Sequence, residues 1–161
     1  MKAKSLLSYV LVVIFTALIF TSCAENDKSI SAKIDQNTHQ SRRILFIGNS
    51  FTHYNGGIGE YLNELSPLIE AEQVAIGGYT LQRHWKNGKA LNKIHSHNWD
   101  FVVLQEQSQT PVFNQSIFND SVRKMTREIV AVGAKPILFM TWERPDSMRH
   151  GVTTNNLATA Y

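Results

Sequence analysis

Four short apolar runs, each closed by glycine or a polar residue, constrain this chain more than any other feature. They cover residues 44–47, 74–76, 101–104 and 136–140. Between the first two, Ile58, Leu62, Leu65 and Ile69 recur at helical spacing, with Pro67 placed to break or offset the helix. Residues 81–94 form a weaker helical stretch with Gly88 inside it. Ile117, Phe118, Val122, Met125, Ile129 and Val130 give a clear amphipathic helix, and Gly133 is suited to stop it. Strands and helices therefore alternate. Continuously apolar strands imply a parallel sheet covered on both faces, and so an α/β, three-layer, doubly wound fold. In such sheets the site lies beyond the carboxyl ends of the strands. Four segments qualify: 48–53, 77–85, 105–109 and 141–144.

The first 40 residues have a different texture. Lys2 and Lys4 precede an apolar stretch from Leu6 to Phe20, broken only by Ser8 and Thr16. A basic start followed by about 15 apolar residues is the pattern of an export signal and is short for a permanent membrane span. The stretch ends Phe20-Thr21-Ser22-Cys23, which resembles a bacterial lipobox, with Phe20 where leucine is commoner. The expected organisation is a lipoprotein signal peptide over 1–22, a polar tether over 23–42 and a folded domain over 43–161. Acylated Cys23 would hold the domain on a lipid bilayer in the cell envelope, outside the cytoplasm. The alternatives are an uncleaved anchor with an incidental thiol and a plainly secreted chain.

Composition removes other classes. The formal charge of +3 loses Lys2 and Lys4 if the signal is cleaved, which leaves no basic surplus for nucleic acid. Three Trp and 43% hydrophobic residues exclude a disordered chain, and one Cys excludes an intrachain disulfide or a multi-cysteine metal site. The turn after the first run lacks Gly-x-Gly-x-x-Gly. No Gly-Lys-Ser/Thr occurs, and Gly56-Gly57-Ile58-Gly59 lies too far past the strand for a nucleotide loop. No metal or cofactor is expected. His95 and His97 lack an evident third ligand.

The strand ends carry the chemistry. Gly48-Asn49-Ser50-Phe51-Thr52-His53 sets a serine on a tight strand-to-helix turn, near the positive end of the next helix. Taken alone, a Gly-x-Ser is weak evidence, and Ser50 reads first as a helix N-cap. Gly77-Gly78-Tyr79-Thr80 would let a backbone N–H approach a bound oxygen. Gln105-Glu106-Gln107-Ser108-Gln109 places three amides around one carboxylate, and side-chain amides suit developing negative charge. Glu106 reads either as a buried carboxylate that orients its neighbours or as a solvated loop charge. Trp85 and Trp142 suit sugar stacking or the core.

These blocks, in this order, resemble the SGNH/GDSL hydrolases, and more narrowly bacterial lipoprotein members that begin Gly-Asn-Ser-Phe. The carrying residues are Ile44 through Thr52, Gly77-Gly78-Tyr79-Thr80-Leu81 with His84-Trp85, Trp99 through Ser108, and Met140-Thr141-Trp142. The resemblance spans residues 43–161 and implies a flavodoxin-like hydrolase fold. It implies ester hydrolysis with Ser50 as nucleophile and Gly78 as an oxyanion-hole N–H. The family's third block usually ends in asparagine. Counting along the strand puts that position at Gln109, whereas a Gln-Gly-Glu-x-Asn pattern favours Gln105; Gln107 stays open. The substrate implied is a small-molecule or carbohydrate ester, such as a sugar acetate.

The family's closing Asp-x-x-His, which supplies the base, has no match here. Asp146 and His150 have the wrong spacing and lie too early. The histidines at 53, 84, 95, 97 and 150 read as surface or substrate-contacting groups. Residues 155–161 resemble the middle of a helix. The expectation is therefore the N-terminal portion of a hydrolase whose activity alone is weak or nil. The alternative is a non-catalytic, ligand-binding surface lipoprotein or a degenerate gene copy.

Overall fold

The computed structural model describes residues 40–161; the signal peptide, Cys23 and nearly all of the tether lie outside the described residues. Strand β1, Arg42–Gly48, leads through helix α1, Ser50–His53, and a 3-10 turn, Tyr54–Gly56, into α2, Ile58–Leu65. Strand β2, Ile69–Ala75, is followed by α3, Leu81–Asn87, and α4, Lys89–His95. Strand β3, Phe101–Leu104, leads to α5, Thr110–Phe113, and α6, Gln115–Ala131. Strand β4, Lys135–Leu138, precedes α7, Pro145–Met148, and α8, Thr154–Ala160. No helix among the described residues is long and apolar enough to cross a membrane.

The strands form one parallel sheet in the order β2-β1-β3-β4, the doubly wound arrangement expected. The point where the strand order reverses lies between β1 and β3, so the site belongs at their carboxyl ends. Alternation along the strands sorts the core into two layers. Leu45, Ile47, Val102 and Leu104 pack with Leu81, Ile94, Phe118, Met125 and Ile129 from α3, α4 and α6. Phe46 and Val103 face the other way, toward Ile58 and Leu62 of α2. Each fully buried Leu, Ile or Phe here contributes roughly 1.5–3 kcal/mol. Asp100 ties the far end of the sheet together. It accepts the Arg43 backbone N–H at 2.9 Å and Arg42 Nη1 at 3.0 Å, and these bonds lower its pKa.

Three expectations need correction. Ile69 belongs to a strand: Pro67 ends the helix at Leu65, and β2 is longer than the expected 74–76, pairing Ile69 with Arg42. The single helix over 81–94 is two, because Gly88 takes φ 79° and closes α3 in the left-handed conformation. The fourth strand is not covered on both faces. All four residues of β4 are exposed, and among the described residues β3 is its only partner. Pro136, which has no N–H to give a ladder, suits that edge position. On α6, Val130 and Ile117 also face outward. The buried stripe is Phe118, Ser121, Met125 and Ile129.

Candidate active site

The first turn settles which residue caps the helix. Asn49 is the N-cap of α1, its Oδ1 accepting the Phe51 N–H at 3.2 Å, and Ser50 is the exposed first helical residue. The Ser50 hydroxyl is thus not needed for capping. Among the described residues it makes no hydrogen bond, and neither the Ser50 nor the Gly78 backbone N–H donates one.

Hydrogen bonds join the strand ends pairwise around that serine. Asn49 Nδ2 donates to the Tyr79 carbonyl at 2.9 Å, which ties the first turn to the glycine turn. The Gly48 carbonyl accepts the Ile76 N–H at 3.2 Å and His84 Nε2 at 2.7 Å. Gln105 Oε1 accepts both the Asn49 N–H and Thr52 Oγ1, each at 2.9 Å. Glu106 accepts the Leu81 N–H at 3.2 Å and the Gln107 N–H at 2.6 Å. In the glycine turn Tyr79 N–H returns to the Ile76 carbonyl, and Gly78 adopts φ 69°, a conformation that favours glycine.

The fourth strand end supplies a wall. Trp142 stands edge-on to Phe51, with ring centroids 4.8 Å apart. Ser50, Phe51, Tyr54, Trp142 and Arg144 line an open cavity of about 510 Å³. Trp142 and Tyr54 leave 50% and 74% of their surface open, enough for a ligand to stack on either. Arg144 lies over the Phe51 ring and also bonds Asp146 at 2.7 Å. Trp85 is not part of this wall; it packs against the core cluster under α6.

Two of the residues singled out from sequence sit differently from expectation. Gln105 is 1% exposed, does not line the cavity, and directs its Nε2 to the Glu106 carbonyl. Its amide holds the serine turn from below instead of facing a ligand. Gln107 Oε1 accepts the N–H groups of Gln109 and Thr110, and Gln109 makes no side-chain hydrogen bond among the described residues. His84 is not a surface histidine. It is 1% exposed, and burial first, then Arg83, lower its pKa against the opposing Gly48 bond. The carbonyl can only accept, so Nε2 carries the proton. His95 pairs with Glu128 at 2.9 Å and His97 with Ser96. Among the described residues no group of His, Cys, Asp or Glu could hold a metal ion.

Ser50 thus stands at the carboxyl end of the first strand of a parallel α/β sheet, the edge at which such folds bind ligands. A solved structure from Slackia heliotrinireducens, assigned to the SGNH hydrolases, is 30% identical to this chain. The match covers 75% of this chain and 72% of that one, with a TM-score of 0.65. The chain belongs to the SGNH/GDSL hydrolase family. Its fold is also that of a G-D-S-L family protein from Desulfitobacterium hafniense DCB-2 (TM-score 0.57, 19% identity, covering 74% of this chain and 67% of that one). A variant of an acetyl-xylooligosaccharide esterase from Geobacillus stearothermophilus gives 0.52 at 15% identity, covering 75% and 72%. No protein-family model and no curated protein matches the chain.

Proposed function

We propose that the domain is a serine ester hydrolase whose nucleophile is Ser50 and whose substrate is an acetylated carbohydrate. The uncapped Ser50 hydroxyl in an aromatic-walled cavity carries this reading. The Ser50 and Gly78 N–H groups serve as oxyanion donors, with Gln107 or Gln109 as the side-chain donor in place of the inward-turned Gln105. Trp142 and Tyr54 give the sugar faces to stack on. The acetyl-xylooligosaccharide esterase among the similar structures supports the substrate class. We further propose that acylated Cys23 tethers the domain to a membrane of the cell envelope.

No described residue hydrogen-bonds Ser50 as a base, which favours a second reading: a surface lipoprotein that binds the ester and turns it over poorly. Loss of a triad base typically costs on the order of 10⁴ to 10⁶ in turnover. A fluorophosphonate probe separates the two. The hydrolase reading expects slow labelling of the full chain on Ser50 and none of Ser50→Ala. A wild-type chain that stays unlabelled while still binding acetylated xylo-oligosaccharide favours the binding reading.

Trp142→Ala tests the cavity wall. About half of the Trp142 residue is exposed and the other half packs on Phe51, so stability should fall by about 2 kcal/mol. The loss should appear as roughly a tenfold weaker affinity for acetylated xylo-oligosaccharide, measured by calorimetry. An unchanged affinity places the sugar elsewhere.

A further inference from the structure

We propose that Glu106 is a positioning residue for this site: its buried carboxylate fixes the glycine turn, residues 77–80, against the loop after β3 and so sets the Gly78 N–H beside Ser50. The proposal rests on the hydrolase reading above and adds to it the group that holds the oxyanion donor.

Glu106 is fully buried at the end of β3, where an unpaired charge is costly. It meets two N–H donors, one from Leu81 at the exit of the glycine turn and one from Gln107 in its own loop. The Leu81 N–H is an orphan donor at the start of α3, one of those every helix leaves unsatisfied. The Gln107 N–H belongs to the strand-end loop. A carboxylate is acceptor-only and can take both. The glycine turn is already held at the Ile76 N–H by Gly48 and at the Tyr79 carbonyl by Asn49. Among the described residues Glu106 is the only side chain that ties the exit of the turn, at Leu81, to the loop after β3, and Gly78 lies between that tie and the Gly48 bond to Ile76.

No salt bridge among the described residues reaches Glu106. Burial pushes its pKa up to about 7, against the lowering effect of the Gln107 and Leu81 bonds. Tyr161 is the titratable group whose charge couples to it. Burial, then the Glu106 charge, holds the phenol up at about 12, so it stays neutral wherever Glu106 titrates. His84, on α3, faces the Gly48 carbonyl and is held below its usual pKa. Charge-assisted bonds are the stronger ones, so the clamp tightens as Glu106 ionises.

The test compares wild type, Glu106→Gln and Glu106→Ala as full chains, with fold checked by circular dichroism. Fluorophosphonate labelling of Ser50 is timed between about pH 5 and about pH 9. The ratio of wild-type to Glu106→Gln rates cancels the serine's own pH dependence. It should start near one and rise about threefold or more through neutrality, with folded Glu106→Ala at least about tenfold slower than wild type at alkaline pH. A flat ratio together with unimpaired Glu106→Ala overturns the proposal. If wild type is not labelled at all, the hydrolase reading fails separately, and the clamp is judged on amide resonances. The Leu81 and Gln107 N–H signals should then titrate together in wild type and stay still in Glu106→Gln. Independent or absent titration rejects the clamp.

Discussion

Gly48→Ala should lower stability by about 3 kcal/mol or more, a large share of the 5–15 kcal/mol a domain of this size possesses. The cause is steric, since Gly48 keeps an ordinary φ. A Cβ at this position would come within 2.5 Å of Gln105 Oε1 and closer still to Thr52 Oγ1. Thr52 and Gln105 are 1% exposed and bonded to each other, so neither has room to retreat. Displacing Gln105 Oε1 also strips the Asn49 N–H of its acceptor, and a buried donor without a partner costs about 1–3 kcal/mol. The same movement disturbs the Asn49 cap of α1, so Ser50 labelling should fall with stability. Gly77→Ala is the matched control. An added Cβ there meets nothing within 4 Å, and its φ is unremarkable. That substitution should be neutral or stabilise by up to about 1 kcal/mol. Urea melts of both variants check the contrast; equal midpoints would show that the packing under the serine turn is looser than its distances indicate.

The sequence made the sheet legible because its strands are continuous apolar runs and its turns end on glycine. That pattern located β1, β3 and the serine turn, and the glycine turn followed from paired glycines at a strand end. The spacing of Ile69 fits a helix as well as a strand, and only its pairing with Arg42 decides between them. The inner layer of the site was less legible. Gln105 and Gln107 look equivalent in sequence, yet one lies under Asn49 and the other caps a helix start. Both lie past the end of β3, so their difference depends on the tertiary course of the loop, and no local propensity encodes that. His84 was invisible for the same reason: its partner is a carbonyl 36 residues away. Thr80, the N-cap of α3, marks the start of the helix that buries His84, and a histidine three residues into a capped helix beside Leu81 could have signalled an inward face. The alternative of a buried Glu106 is open in sequence, but its Leu81 partner lies 25 residues earlier, at the start of α3.

Glu106 should also make the fold itself sensitive to pH, in the direction opposite to most carboxylates. Its folded pKa, about 7, stands above the ordinary 4.5. Below 4.5 both folded and unfolded chains hold the proton, and stability does not change on its account. Between 4.5 and about 7 the unfolded chain releases the proton while the folded chain keeps it, so stability falls as pH rises. Above that window both are ionised and the full cost of the buried charge is felt. The gap corresponds to about 3 kcal/mol. Asp100 acts the other way: its lowered pKa removes stability only as pH falls through the acid range. Comparison with Glu106→Gln isolates the one group, because glutamine keeps an acceptor for the Leu81 and Gln107 N–H groups and cannot ionise. The two chains should melt together near about pH 4, and Glu106→Gln should be the more stable by up to about 3 kcal/mol near about pH 8.5. Parallel melting curves across that range would mean that water reaches the carboxylate. The clamp would then hold the glycine turn through solvated bonds, without the protein bearing the cost of a buried charge.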